Sequence, residues 1–249
     1  MDPILEIENM NIAFQQKSGK KIIVENGEFK VNAGEFVLIL GENGAGKSSI
    51  FRSIVQDGKT GERDMYFQGK AVSDIDSFRR AIGYASQEDD PESFFAKRVK
   101  NYVKDYVINS GMSLRDVDKA IDEVYEALRC DKYADGEFMS RRLSKCSGGE
   151  KRMASLLRAL SRTQSKLFIL DEPINNLDAY HARLLNNYLV RLKERENPPG
   201  ILVITHCHMF QHVDRVYKLS RGKLTEIKDY TPKSCYGECN ECGLYTEEE

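Results

Sequence analysis

The sequence predicts an α/β protein with a parallel central sheet, an N-terminal antiparallel β subdomain and a helical insert. Three observations carry that prediction. Phe36–Leu40, Lys166–Leu170 and Ile201–Ile204 are short, nearly continuous apolar runs, the pattern of parallel strands covered on both faces. From about Ser93 to Thr163 the apolar spacing turns helical. Between Ile4 and Phe36, short apolar segments alternate with Gly19, Gly27 and Gly34, which suggests a small antiparallel sheet.

Taken in order, the first apolar run leads into a glycine-rich turn and then a helix expected over Ser49–Gln56. In the insert, Leu114, Val117, Ile121, Val124 and Leu128 recur at spacings of three and four, with Ser113 as N-cap and Asp116 in the first turn. A further helix begins after Ser147 and carries Met153, Leu156, Leu157 and Leu160 on one side. The second run delivers Asp171 and Glu172; Asp178 is placed to cap a helix over His181–Leu192. The third run ends at Thr205-His206. One large domain over 1–228, with its insert at about 88–163, is the expected organisation. From Asp229 the periodicity stops, and Thr231–Glu249 hold one Lys and five Glu, the composition of a loose acidic tail.

With 249 residues the chain is long enough for a substantial core. Its 37 Lys and Arg against 39 Asp and Glu give a net charge of -2, so no basic excess marks a nucleic-acid footprint. The longest apolar runs fall far short of the roughly 20 residues that a membrane-spanning helix needs. The start, MDPILEIENM, has neither a basic n-region nor an apolar h-region, and the expected location is the cytosol.

Gly41-Glu42-Asn43-Gly44-Ala45-Gly46-Lys47-Ser48 matches G-x-x-x-x-G-K-[ST] between a strand and a helix. Its glycines let successive backbone N–H groups face phosphates, and the helix N-terminus, with Ser49 in its first turn, adds positive potential. Lys47 supplies a full charge for the β- and γ-phosphates, and Ser48 a hydroxyl ligand for Mg²⁺. The expected core is therefore that of a P-loop NTPase. Such a loop specifies a nucleotide and not a job.

The remaining motifs discriminate. Lys145-Cys146-Ser147-Gly148-Gly149-Glu150 resembles the L-S-G-G-Q signature of the ATP-binding-cassette (ABC) family, with Cys146 and Glu150 as departures. Leu167–Glu172 resembles its Walker B strand, Asn175-Asn176-Leu177-Asp178 its D-loop in altered form, Ile204-Thr205-His206 its switch histidine, and Gln87 its Q-loop glutamine. Phe14 resembles the aromatic that stacks on adenine, though a core role is as common. The resemblance runs from about Ile4 to Leu224 and keeps the family's motif order. It implies ATP and Mg²⁺ as ligands, with Ser48, Gln87 and Asp171 at the metal. Glu172 is the expected base, and His206 and Gln87 complete the catalytic set. Gly41, Asn43, Gly44, Ala45, Gly46, Lys47, Ser48 and Ser49 would bind the phosphates. Ser147, Gly148, Gly149 and Asp178 would serve a nucleotide sandwiched between two cassettes.

The resemblance further implies a second cassette as partner and a separate transmembrane permease docking near Gln87, within Glu88–Val107. The chain itself would then be peripheral at the inner face of the membrane. A non-transport cassette of the iron–sulfur-assembly type is the alternative. The tail thiols Cys235, Cys239 and Cys242 have no counterpart in the family. Unligated thiols and metal binding are both open for them.

Overall fold

The computed structural model describes residues 3–16, 19–56, 61–87, 96–133 and 137–233. Two sheets organise them. The first is antiparallel, in the order β2-β1-β4-β5, from β1 (Leu5–Gln16), β2 (Gly19–Val31), β4 (Glu62–Phe67) and β5 (Lys70–Ala71). Its long hairpin loses strict register between Ile7 and Ala13. The second runs β10-β9-β3-β8-β7-β6 and is built from β3 (Phe36–Gly41), β6 (Gly83–Ala85), β7 (Leu167–Asp171), β8 (Gly200–Thr205), β9 (Arg215–Ser220) and β10 (Lys223–Ile227). All its pairings are parallel except β9 with β10.

The three apolar runs become adjacent central strands, because only strands covered on both faces bury every residue. Alternation along each strand sorts the side chains into two cores. Leu38, Phe168, Leu170, Ile201 and Val203 pack on one face with the insert. Ile39, Leu167, Ile169, Leu202 and Ile204 pack on the other, with α1 (Lys47–Val55) and the antiparallel sheet. Each fully buried Leu, Ile or Phe contributes about 1.5–3 kcal/mol, so the strands that present the site are firmly anchored on both faces.

Beyond α2 (Ile75–Ala81), the insert contains α3 (Val99–Ile108), α4 (Leu114–Ala127) and α5 (Gly148–Leu160). Ser113 caps α4 through the Asp116 amide. Val117, Ile121, Val124 and Leu128 are buried as the spacing predicts, but Leu114 is 63% exposed. As the first residue of the helix, its side chain leans back past the N-terminus, and the core ends before it. The helix after the second carboxylate strand, α6, spans Ala179–Lys193.

Candidate nucleotide site

The strand ends β3, β7 and β8 lie side by side, so the segments leaving the three runs converge. After β3 the chain curls through Gly44 (φ 78) and Gly46 (φ 103). Such angles suit glycine, and the side chain of Ile23 from β2 already fills the space a Gly46 side chain would take. Gly46 is the N-cap of α1 and makes no side-chain cap, leaving that helix end open to an anion. Lys47 is buried, with Nζ donating to Gly41 O at 2.9 Å and Glu42 O at 3.1 Å. Asn43 and Gly44 are exposed, with Ala45 half-buried beside them.

Lys47 Nζ also meets Glu172 Oε1 at 3.1 Å. The second oxygen of Glu172 takes Thr205 Oγ1 at 2.8 Å and His206 Nδ1 at 2.9 Å. Burial pushes the Glu172 carboxyl up, but the His206 hydrogen bond and the Lys47 charge outweigh it and leave the group below its ordinary value. Glu172 sits at φ 47, a left-handed conformation that a non-glycine residue keeps only when its surroundings hold it; Glu172 N donates to Ile204 O at 2.7 Å.

Asp171, one residue back, is 1% exposed. Burial pushes its carboxyl up to about 6, offset by a hydrogen bond from Ser48 and reinforced by the Glu172 charge. Its Oδ1 has no hydrogen-bond partner. Ser48 Oγ also lies 3.0 Å from Gln87 Oε1. A hydroxyl, an amide oxygen and a carboxylate with one bare oxygen form an all-oxygen donor set, which suits a hard cation such as Mg²⁺. Lys47, Glu172 and His206 thus form one bonded chain, and Ser48, Gln87 and Asp171 a second one joined to it through the backbone of neighbouring residues. Phe14 is 39% exposed on β1 opposite Lys21.

Ser147 opens α5 with a capping box. Its hydroxyl accepts from Glu150 N at 3.2 Å, and Glu150 Oε2 accepts from Ser147 N at 2.6 Å. The glutamate that departs from the signature is therefore a structural acceptor, and Arg141 Nη1 neutralises its other oxygen at 2.8 Å. Gly148 and Gly149 face Asn176, which is itself left-handed at φ 63. A Cβ on Gly149 would stand 2.7 Å from Asn176 O, so the turn after β7 packs directly on the signature.

A family model described as "ABC transporter" matches residues 24–175, more than half of the chain. The chain belongs to the ABC transporter family. It is 28% identical to the Fe(3+) ions import ATP-binding protein FbpC of Fusobacterium nucleatum, over 93% of this chain but 59% of that protein. It is 27% identical to the phosphonates import ATP-binding protein PhnC 2 of Oceanobacillus iheyensis, over 89% of this chain and 88% of that one. A solved dimeric structure of a bacterial ABC transporter cassette superposes with a TM-score of 0.75 at 20% identity, covering 90% of this chain and 98% of that chain. The fold is therefore that of an ATP-binding cassette ATPase.

Two residues of the cassette make contacts that the sequence does not signal. Arg152, 6% exposed on α5, donates to Ser86 O, to Asp171 O and to Pro173 O. One buried guanidinium thus ties the signature helix to the backbone before Gln87 and to both ends of the Asp171-Glu172-Pro173 turn. His181 holds both oxygens of Asp178, through its amide at 2.8 Å and through Nδ1 at 2.7 Å, and its ring packs on Tyr133 of the insert with centroids 4.5 Å apart. No motif announces Arg152, because its partners are backbone groups on other elements; for His181 the Asp178 cap is foreseeable, but the packing of its ring on Tyr133 is not. Among the described residues, no helix is long and apolar enough to cross a membrane. Cys235, Cys239 and Cys242 lie outside the described residues.

Proposed function

We propose that this cassette is the nucleotide-binding subunit of an ABC transporter, binding and hydrolysing Mg-ATP as half of a cassette dimer that drives a separate permease from the cytoplasmic side. The observation that carries this reading is the cluster of Lys47, Ser48, Gln87, Asp171, Glu172 and His206 at the ends of three parallel strands, where ligands of such sheets bind. The transport role rests on relatives that serve import systems.

In this reading the N–H groups from Gly41 to Ser49 cradle the phosphates, and Lys47 turns from Glu172 to the β- and γ-oxygens. Ser48, Gln87 and Asp171 would hold Mg²⁺, which supplies charge neutralisation between those phosphates. Glu172, released from Lys47, accepts a proton from the attacking water, while His206 hydrogen-bonds the γ-phosphate. Phe14 offers its exposed ring to the adenine. Ser147, Gly148 and Gly149 take the γ-phosphate held by the second cassette, with Asp178 shaping the turn between them. The permease docks on Glu88–Val107, of which residues 88–95 lie outside the described residues.

Lys47→Ala tests the first part: ATP affinity by calorimetry should drop sharply in a protein that stays folded, and an unchanged affinity refutes the site. Charge reversal at Glu88, Asp89 and Asp90 tests the second. Co-purification with a membrane partner should weaken while basal ATPase activity persists; collapse of turnover with intact co-purification refutes the docking assignment.

A further inference from the structure

After β10 the chain turns back and crosses the segment just beyond His206. Tyr230 Oη donates to His208 O at 2.8 Å and lies 3.0 Å from Phe210 O. The Tyr230 ring stacks on the His208 imidazole at an interplanar angle of 22°. Lys233 N donates to the same His208 O at 2.9 Å. Other contacts fix the segment from the inside: Cys207 N donates to Thr205 Oγ1 at 3.1 Å, and Gln211 N to Asn186 Oδ1 of α6 at 2.9 Å. The hydroxyl of Thr205 that receives Cys207 N is the one that donates to Glu172. From Thr205 to Gln211 the backbone is therefore pinned on both sides, with the outer pins coming from the strap at 230–233.

We infer that Tyr230 is a positioning residue for hydrolysis, acting through the His208 and Phe210 carbonyls to hold the switch segment so that the His206 ring meets the γ-phosphate. This deepens the proposed function and rests on its reading of His206. His206 sits at the end of β8, and its ring direction depends on the two peptide units that separate it from His208. Free of the strap, those units regain backbone freedom that folding otherwise removes. The ring is then aligned in only part of the population, and catalysis is sensitive to such misplacement. Binding is less so, because the phosphate loop and Lys47 supply most of it.

A packing role and a positioning role differ in what the hydroxyl does. Tyr230→Phe keeps the ring, its stack on His208 and its contact with the core, and removes only the hydrogen bonds. Its kcat should fall about threefold to tenfold, the range that net hydrogen-bond contributions convert to. KM for ATP and the calorimetric affinity should match the parent chain, and Tm should fall by no more than a few degrees, the stability cost of the lost hydrogen bonds. In single-turnover hydrolysis, adding Tyr230→Phe to His206→Ala should cost nothing further, since the two act as one unit. A Tyr230→Phe variant with parental kcat overturns the inference, as does a full, independent loss in the His206→Ala background. A parent chain that binds ATP but never turns it over overturns the functional reading itself, and the inference falls with it.

Discussion

Glu172→Gln should do two opposite things, one to turnover and one to affinity. Glutamine keeps the side chain's size but cannot take a proton from water, so hydrolysis should lose the roughly 10²–10⁴-fold that a positioned base supplies. Affinity should rise, because on the proposed reading Lys47 must leave Glu172 to reach the phosphates. At the observed 3.1 Å, two unit charges attract by about 5 kcal/mol at an effective dielectric of about 20. Most of that is cancelled by desolvation of the two buried groups. A net competition of about 1–2 kcal/mol remains, equivalent to roughly fivefold to thirtyfold tighter ATP binding in the Gln variant. Dimerisation would inflate that figure, so both parent and variant should carry Ser147→Arg, which puts bulk into the proposed second phosphate site. Calorimetry then reads the monomer. Without that block, Glu172→Gln should elute as an ATP-dependent dimer in size-exclusion chromatography. Equal or weaker ATP affinity would refute the competition, and near-parental turnover would refute the base.

The signature helix supports three more tests. Glu150→Gln restores the commoner signature residue, keeps an oxygen for the Ser147 amide and removes a negative charge beside a phosphate site; ATP-driven dimerisation, measured by analytical ultracentrifugation in the Glu172→Gln background, should strengthen by about 0.3–1 kcal/mol. Gly149→Ala forces a Cβ against the Asn176 carbonyl at 2.7 Å, so the turn after β7 must shift and the same dimer should weaken while monomeric ATP affinity holds. Arg152→Met strands three buried carbonyls at about 1–3 kcal/mol each, a total of at least about 3 kcal/mol, which thermal melting would show as a Tm drop of roughly 6 °C or more; a drop under about two degrees would mean those carbonyls find other donors.

The order and character of the elements were legible because phosphate chemistry and parallel-sheet burial both constrain sequence locally. The turn from Gly41 to Ser48 and the apolar runs before Asp171 and His206 each announce themselves within a few residues. What was not legible depends on partners far along the chain. Arg152 meets Ser86 across 66 positions, and nothing in its neighbourhood separates it from an exposed helical arginine. Glu150 reads as a departure from the signature until its oxygens are seen capping Ser147 and pairing with Arg141. Leu114 fits the apolar stripe of α4 by spacing alone, yet the stripe has nothing to cover at its first turn. The left-handed backbone of Glu172 is set by tertiary contacts that no propensity encodes.

Helix α5 carries the Ser147 capping box at its N-terminus and, on the same rod, the Arg152 guanidinium that binds the backbone of Ser86, Asp171 and Pro173. Ser147 and Arg152 are separated by about one and a half turns, roughly 7 Å of hydrogen-bonded helix. In a dimer whose nucleotides lie between chains, the first of these groups would touch the partner's ATP while the second braces the backbone around the chain's own Mg²⁺ ligands. Occupancy of one site is then felt at the other as a displacement of a stiff body, without any flexible relay between them. A dimer built this way has two nucleotide sites but few independent degrees of freedom at them, and ATP titrations of its turnover should be sigmoidal, with the steepness lost when Arg152 no longer bridges the helix to Asp171 and Ser86.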